Sequence, residues 1–512
     1  MQVGSFYEIY GLKTPNSSIL GSVIETISVE CDLIIANKKQ VVSYSRGKAI
    51  CSWIQDIYLF PSEADKQEET QGDLQVVMAG FGLAQLNKYA KKLQRLGYTC
   101  PVYVQDIQAP NSTRSLSQII SPGTFLDITG NRLSNVAAAL VVVESNIGRK
   151  TYNLGYSTYD LVSGDLNTYE WFADETGRSW LDELEHIVCA AMPHEFIIVS
   201  KAPTTANYIT KYLGIDRSLV HFIDLNGDTK LSKLGCNSSK QTYQHNILTN
   251  AFTATPVHQI VESIHNNELS MQSLTVLVDF LMTHNKASLV DVGFPRVGQR
   301  ANVVRLGNHT LKQLNILSDA SGTERVSIFN HLNKCITKGG TRYYRKRLSY
   351  PIHEQTELER RYEIVAKLVK DGSTLIGLQT LLKGVCDVKF HLRLLSRGSI
   401  TPRKLAQLTQ SVYVASTIRQ EYGFASDNES EVSNDLEGLH RKIASVIDIE
   451  KCLEYSNLVG DFSIDKSGRT LDPSGLFITG HSKRIDDSKV AYTKNMDVLT
   501  LIRSTLETVI RN

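Results

Sequence analysis

The chain has 512 residues, 55 Lys plus Arg against 53 Asp plus Glu, and 42% hydrophobic residues, which predicts about three or four domains, each with its own core, and excludes a disordered chain. Its longest clean apolar run, Val136 to Val143, is far short of the roughly 20 residues of a membrane helix, and the start MQVGSFYEIYGLK lacks the basic-then-apolar pattern of a signal peptide. Eight scattered cysteines without a CxxC pair exclude a disulfide scaffold and a zinc knuckle, so an intracellular, reducing compartment is expected.

In chain order, residues 1–125 mix short apolar alternations with one clear helix. LQVVMAG (74–80) reads as a strand. LAQLNKYAKKLQRLGY (83–98) places Leu83, Leu86, Tyr89, Ala90, Leu93 and Leu96 on one helical face, and TCPVYVQDI (99–107) reads as a further strand. The turn SPGT (121–124) closes this α/β unit. Residues 126–250 repeat the grammar: AAALVVVES (137–145) and NLGYSTYDL (153–161) form a hairpin, and VSGD (162–165) leads into the strand LNTYEWF. Ser179 with Asp182 suggests a capping box opening a helix through Ala191. EFIIVS (195–200), a helix at TANYITKYLG and VHFIDL (220–225) continue the alternation. From 251 onward strand signals vanish and amphipathic helices follow to the end. The fold class is thus multidomain, two α/β domains (1–125 and 126–250) followed by an all-α region (251–512).

Charge is segregated along the chain. Residues 334–404 hold sixteen Lys or Arg and six acids, a balance of +10 in a chain of net charge +2. Such a region points to a polyanion or to a face that packs against acidic neighbours. Lys334, Lys338, Arg342 and Arg345 share one helical face if the helix survives Gly339-Gly340, and packing at a domain junction is the preferred reading of that face.

Motifs of chemistry are sparse. No Walker A loop occurs in the 512 residues, nor HExxH, GxSxG or an EF-hand loop. Cys189 and His194 read as packing rather than metal ligands. Asp160, at a strand end, is a candidate carboxylate of a two-metal nuclease, but Glu144, Asp165 and Glu170 have no spacing that makes them converge with it. The N-terminus is more specific. In GSFYEIY (4–10), Phe6 and Glu8 share one face of a strand, so an aromatic ring and a carboxylate acceptor stand together, able to stack on a base and bond its edge. Read without context, Phe6 would be core and Glu8 solvent-facing.

Context comes from the whole chain. GSFYEIY resembles the motif G-[DS]-F-Y-E-[LMF]-[FY] of the MutS family of DNA mismatch repair proteins. In the same order, VVMAGFGLAQLNKYAKKLQRLGYTCPVYVQDI (76–107), IISPGT (119–124), LGYSTYDLVSGDLNTYEW (154–171), VRLGNHTLKQLNIL (304–317), SIFNHLNKCITKGGTRYYRKRLSYPI (327–352) and DVKFHLRLLSRGSITPRKLAQL (387–408) are similar to further family segments. Gly82 and Ala84 depart from the Pro and His usual in the family. MQVGSFYEIYG also resembles the giant-virus and octocoral-mitochondrial branch, some members of which carry a C-terminal nuclease domain.

The resemblance implies a mismatch-binding domain at 1–125, an RNase H-like connector at 126–250 and a helical core/lever domain at 251–512, apparently truncated before the rest of the clamp and the ATPase domain. It implies recognition of double-stranded DNA with mismatches or small loops, with Phe6 wedging against the mispaired base, Glu8 hydrogen-bonding it and Tyr7 in support. A junction-binding or recombination relative is the alternative, and a nuclease using the connector the less favoured one. No cofactor is expected in this chain. ATP and Mg belong to the full-length family, which acts as a dimer, and this chain alone is expected not to hydrolyse ATP. No membrane role is expected, and the compartment stays open between viral, mitochondrial, nuclear and cytoplasmic.

Overall fold

The structure is a computed structural model, and it describes residues 1–13, 19–20, 22–45, 48–49, 73–106, 113–127, 132–145, 151–174, 179–252, 256–264, 266–290, 292–298, 303–304, 306, 309–317, 327–422, 430–455 and 473–511. The NIGRK turn expected between the two strands of the second unit lies outside them.

The first unit is a sheet of six described strands with two helices on one face. In chain order it comprises β1 (Gln2–Val3), β2 (Phe6–Lys13), β3 (Ile19–Leu20), α1 (Ile24–Cys31), β4 (Ala36–Ser45), β5 (Lys48–Ala49), β6 (Asp73–Gly82) and α2 (Leu86–Arg95), followed by the antiparallel pair β7 (Cys100–Gln105) and β8 (Arg114–Ile120). The sheet runs β1-β2-β6-β4-β5, with β3 beside β2, and β2 and β4 each pair antiparallel with β6. The period-two alternation of β2 sends Tyr7 and Ile9 to the helical face, where they pack with Ile24, Ile27, Phe81, Tyr89 and Leu93. Phe6, Glu8 and Tyr10 therefore share the other face.

The second unit contains β9 (Val136–Ser145), β10 (Thr151–Asp160), β11 (Leu166–Asp174), α3 (Ser179–Ala191), β12 (Glu195–Ser200), α4 (Pro203–Leu213), β13 (Val220–Asp224), α5 (Lys230–Asn237), α6 (Gln241–Ala251), α7 (Val257–Ile264), α8 (Glu268–Asn285) and β14 (Arg296–Val297). The sheet order is β13-β12-β9-β10-β11-β14: β9, β10 and β11 form an antiparallel meander, and β12 and β13 lie parallel to β9 and to each other. Central β9 is buried on both faces from Val136 to Val142, which is why it reads as a continuous apolar run. Trp180, Leu184, Ile187 and Ile209 of α3 and α4 cover one face. The other face is covered by Leu248, Ile260, Leu274, Leu277 and Leu281 of α6, α7 and α8.

Two expectations change here. Strand structure does not stop at 250, because β14 joins β11 in parallel at Asn167–Arg296 and Thr168–Val297; a two-residue edge strand is too short to leave a period-two signature. Nor does packing change hands at 250, since α8 lies on β10 so closely that a Cβ on Gly155 would stand 2.0 Å from the Leu269 carbonyl oxygen. Asp182 accepts from the Tyr212 hydroxyl at 2.8 Å, tying α3 to α4, and the Ser179 side chain of the expected capping box lies outside the described residues.

The remaining described elements are helical apart from isolated bridges: α9 (Thr310–Gln313), α10 (Ile328–Leu332), α11 (Lys338–Ser349), α12 (Gln355–Lys370), α13 (Gly372–Leu382), α14 (Val388–Ser396), α15 (Pro402–Tyr422), α16 (Ser430–Ala444), α17 (Ile449–Glu454) and α18 (Lys483–Arg511). Phe390 and Leu394 of α14 join the core of the second sheet, so the helical region is docked on it. Among the described residues no helix is long and apolar enough to cross a membrane.

Candidate nucleic-acid interface

The N-terminal hairpin is built around Gly4, whose φ of +58° is a left-handed conformation that suits glycine. Gln2 and Val3 pair with Tyr7 and Phe6. The turn is anchored to β7 and β8: Gly4 N donates to Gln105 Oε1 at 3.0 Å, Gln105 N to Gln2 Oε1 at 3.1 Å, and Arg114 Nε to the Gln2 carbonyl at 2.8 Å. The Met1 ammonium and the Glu8 amide close the other side on each other's carbonyls.

On this support the Phe6 ring is 51% exposed, while Glu8 is 8% exposed. That is the reverse of the context-free reading. The register explains the opening beside them. Phe6 faces Gly82 and Glu8 faces Gly80 on β6, so the neighbouring strand puts no side chain next to either. Gly80 must stay small, since an added Cβ would lie 2.9 Å from the Tyr7 carbonyl oxygen and 3.2 Å from Glu8 Cγ. Gly82 has open space and a φ of −63°, the value a proline ring enforces, so the departure from the family's Pro leaves the backbone geometry compatible with it.

Glu8 is not an isolated charge. Lys38 Nζ lies 2.8 Å from its Oε2, the Tyr10 hydroxyl donates to the same oxygen, and Lys38 also sits 5.3 Å from the centre of the Tyr10 ring. Lys38 lies where β4 shifts register between Asn37 and Val41, and such an irregularity re-aims a side chain. An exposed ring thus stands next to a carboxylate that is locally neutralised. Tyr10 was legible as the next residue on the Phe6–Glu8 face; Lys38 was not, because a bulge thirty residues away leaves no periodic trace. Tyr7, on the opposite face, stands 6.0 Å from Phe81 between ring centres, and burial raises its pKa.

The acids singled out in the second unit do not form a metal centre among the described residues. Asp160 accepts from the Asn135 and Val162 amides at 2.8 and 3.0 Å and from Ser163. Asp165 is bound by Lys389 at 2.7 Å, and Glu170 accepts from the Ser270 amide in the first turn of α8 at 2.9 Å. The Glu144 carboxylate is taken by Thr205. In the basic stretch, helix α11 does run through Gly339-Gly340, with Thr337 capping it at the Gly340 amide, 3.0 Å. Arg342 forms a two-pronged ion pair with Asp387, and buried Arg393 donates to the Tyr159 hydroxyl and the Ser288 and Val290 carbonyls. Much of the positive charge is committed to the junction between sheet and helices.

His194 belongs to the same junction. It accepts from the Val136 amide at 3.4 Å, and burial, then the nearby Arg132 and Arg345, pull its pKa down to about 4. The folded chain holds it neutral while the unfolded chain takes up a proton near pH 6.5, so its contribution to stability is present above 6.5 and is lost as pH falls towards 4. Thermal melts between pH 7.5 and 4 should show this acid decline, and His194→Gln should flatten it in that window; an unchanged profile would contradict the assignment.

The family model for MutS domain III matches residues 309–465. A mutS homolog of Acanthamoeba polyphaga mimivirus, named for DNA mismatch repair, is 23% identical over 377 residues, covering 68% of this chain and 33% of that protein. The DNA mismatch repair protein MutS of Halothermothrix orenii is 22% identical over 436 residues, covering 84% and 44%, and that of Alkaliphilus oremlandii is 24% identical over 424 residues, covering 81% and 44%. The chain is a MutS relative. It spans between a third and less than half of the length of these curated relatives. The matched domain III segment begins at α9 and includes α10 to α17, so it falls within the helical part of this MutS relative.

Proposed function

We propose that this MutS relative reads mismatches in double-stranded DNA through the hairpin face that presents Phe6 and Glu8. The observation that carries the reading is an aromatic ring half exposed beside a carboxylate whose charge Lys38 offsets. A ring so placed can enter the minor groove and stack on a mispaired base, which unstacks at lower cost than a Watson–Crick pair. Glu8 would then exchange its Tyr10 or Lys38 hydrogen bond for one to the base. The sheet order, a three-strand meander with two parallel strands added beside its first strand, supports the RNase H-like connector reading of the second unit.

ATP belongs to this reading only at the level of the family. The residues here do not fit a P-loop: Gly339 and Gly340 sit in the first turn of α11 under the Thr337 cap rather than in a loop after a strand. Dimer assembly likewise belongs to this reading only at the level of the family.

The test is a competition titration of this chain between matched duplex, mismatched duplex and a four-way junction. Preference for the mismatch supports the proposal. Preference for the junction selects the recombination-type alternative, and equal binding to all three removes both.

The Lys38 contact gives a prediction about charge. Glu8→Ala leaves the Lys38 ammonium unbalanced on the proposed DNA-facing side, so matched-duplex affinity should rise and the log K against log salt slope should steepen by about one. Lys38→Met leaves the Glu8 charge uncompensated, so it should weaken duplex binding and lower stability by about 1–3 kcal/mol. Anisotropy titrations over a salt series measure both, and a fall in matched-duplex affinity on Glu8→Ala would refute the charge argument.

A further inference from the structure

The second sheet and the helical region flank an open cavity of about 520 Å³. Asp160, Ser163 and Asp165 line it from the sheet, and Arg342, Arg345 and Lys346 line it from α11. Its acids already have partners: Asp165 has Lys389, Asp387 has Arg342, and Asp160 has two backbone amides and Ser163.

Two of its cations are in a different position. Arg345 Nε is buried without an acceptor, and the guanidinium's other contact is to the thioether of Met192, a weak acceptor. No carboxylate hydrogen-bonds to Arg345 among the described residues, although the Asp160 carboxylate is near enough to favour its charge. Buried Arg393 also leaves its Nε without an acceptor, but its two terminal nitrogens donate to three oxygens. Lys346, the next residue, is exposed and forms no ion pair among the described residues. Arg132, which like Arg345 acts on His194, also buries a guanidinium nitrogen, Nη1, without an acceptor. A buried guanidinium with no oxygen partner is costly, and an anion that fits the cavity relieves that cost.

We propose that this cavity binds a phosphorylated small molecule, with Arg345 and Lys346 holding its phosphate group. The planar guanidinium matches phosphate in a two-pronged geometry and the ammonium adds a point charge. The volume falls in the range of small-molecule sites, about 300–1,000 Å³, so a molecule of nucleoside monophosphate size fits and a duplex does not. Tyr343, also on the lining and half exposed, offers a ring face, which Arg347 covers from one side at 4.8 Å. A ligand there touches both the sheet and α11, so it ties the two regions together. None of these residues belongs to the Phe6–Glu8 face, and the inference stands apart from the mismatch reading.

Calorimetric titration of the whole chain with AMP, inorganic phosphate and adenosine tests it. Saturable binding of AMP and none of adenosine is the expected result. Arg345→Leu and Lys346→Ala should each weaken AMP binding by about tenfold or more, the worth of one charged hydrogen bond. Lys346 is exposed, so its variant keeps the fold even where Arg345→Leu does not. Inorganic phosphate binding as tightly as AMP identifies the phosphate alone as the ligand, and tighter AMP binding adds the nucleoside; either supports the site. Adenosine binding as tightly as AMP, AMP affinity unchanged in Lys346→Ala, or no saturable binding of phosphate or AMP up to about 10 mM overturns it.

Discussion

Phe6→Ala should cost most of the preference for mismatched over matched duplex, a loss of about 1–3 kcal/mol, the worth of one base–aromatic stack. The ring is 51% exposed and faces Gly82 across the strand pair, so it leaves little core behind when removed, and the fold should hold. Binding to matched duplex should change little, because phosphate contacts position a protein without reading sequence. Tyr7→Ala should behave the opposite way. Tyr7 packs with Phe81 and Leu86 beneath the sheet, so its loss should lower stability, and discrimination should fall only as far as folding does. The measurement is a competition titration of mismatched against matched oligonucleotides, with thermal melts of each variant alongside. Full discrimination in a folded Phe6→Ala protein would sink the wedge.

Glu195→Ala should produce the largest stability loss, about 3–5 kcal/mol, the usual cost of breaking a buried charged network from one side. Glu195 is 1% exposed at the start of β12, and it holds the Ser121–Thr124 turn that links the first unit to the second. It accepts from Ser121 Oγ at 2.5 Å, from the Gly123 amide at 3.1 Å and from His221 Nε2 at 2.6 Å. The turn is closed again by Ser121 N donating to Thr124 Oγ1 at 2.9 Å. Gly123 comes so near that a Cβ on it would stand 2.5 Å from the Glu195 Cβ. Alanine therefore leaves the Ser121 hydroxyl and the Gly123 amide without their acceptor in a space water enters poorly, while the His221 imidazole, 39% exposed, can turn to water. Glu195→Gln keeps the shape and one acceptor oxygen, so it should cost less, about 1–2 kcal/mol. Urea midpoints at constant m value compare the two; equal losses in both variants would mean that shape rather than the acceptor network holds the turn.

The sequence by itself determined the elements and the motif. Period-two alternation in NLGYSTYDL and the continuous run VAAALVVVES are direct imprints of one strand in a meander and one buried on both faces, and the structure has both as β10 and β9. The placement of Phe6 and Glu8 on one face followed from the same period. Tertiary structure alone decided what Glu8 touches, because Lys38 arrives through a register shift in a strand that sequence spacing cannot align. It also decided where the second core ends. Helix α8 is buried nearly all round from Leu269 to Val278, so its apolar pattern says that it is buried and not against what. The basic stretch shows the same division. Composition counts sixteen cations between 334 and 404, but only the fold commits Arg342 to Asp387 and Arg393 to carbonyls while leaving Arg345 without an oxygen, because pairing depends on which distant chain segment is brought within about 3 Å.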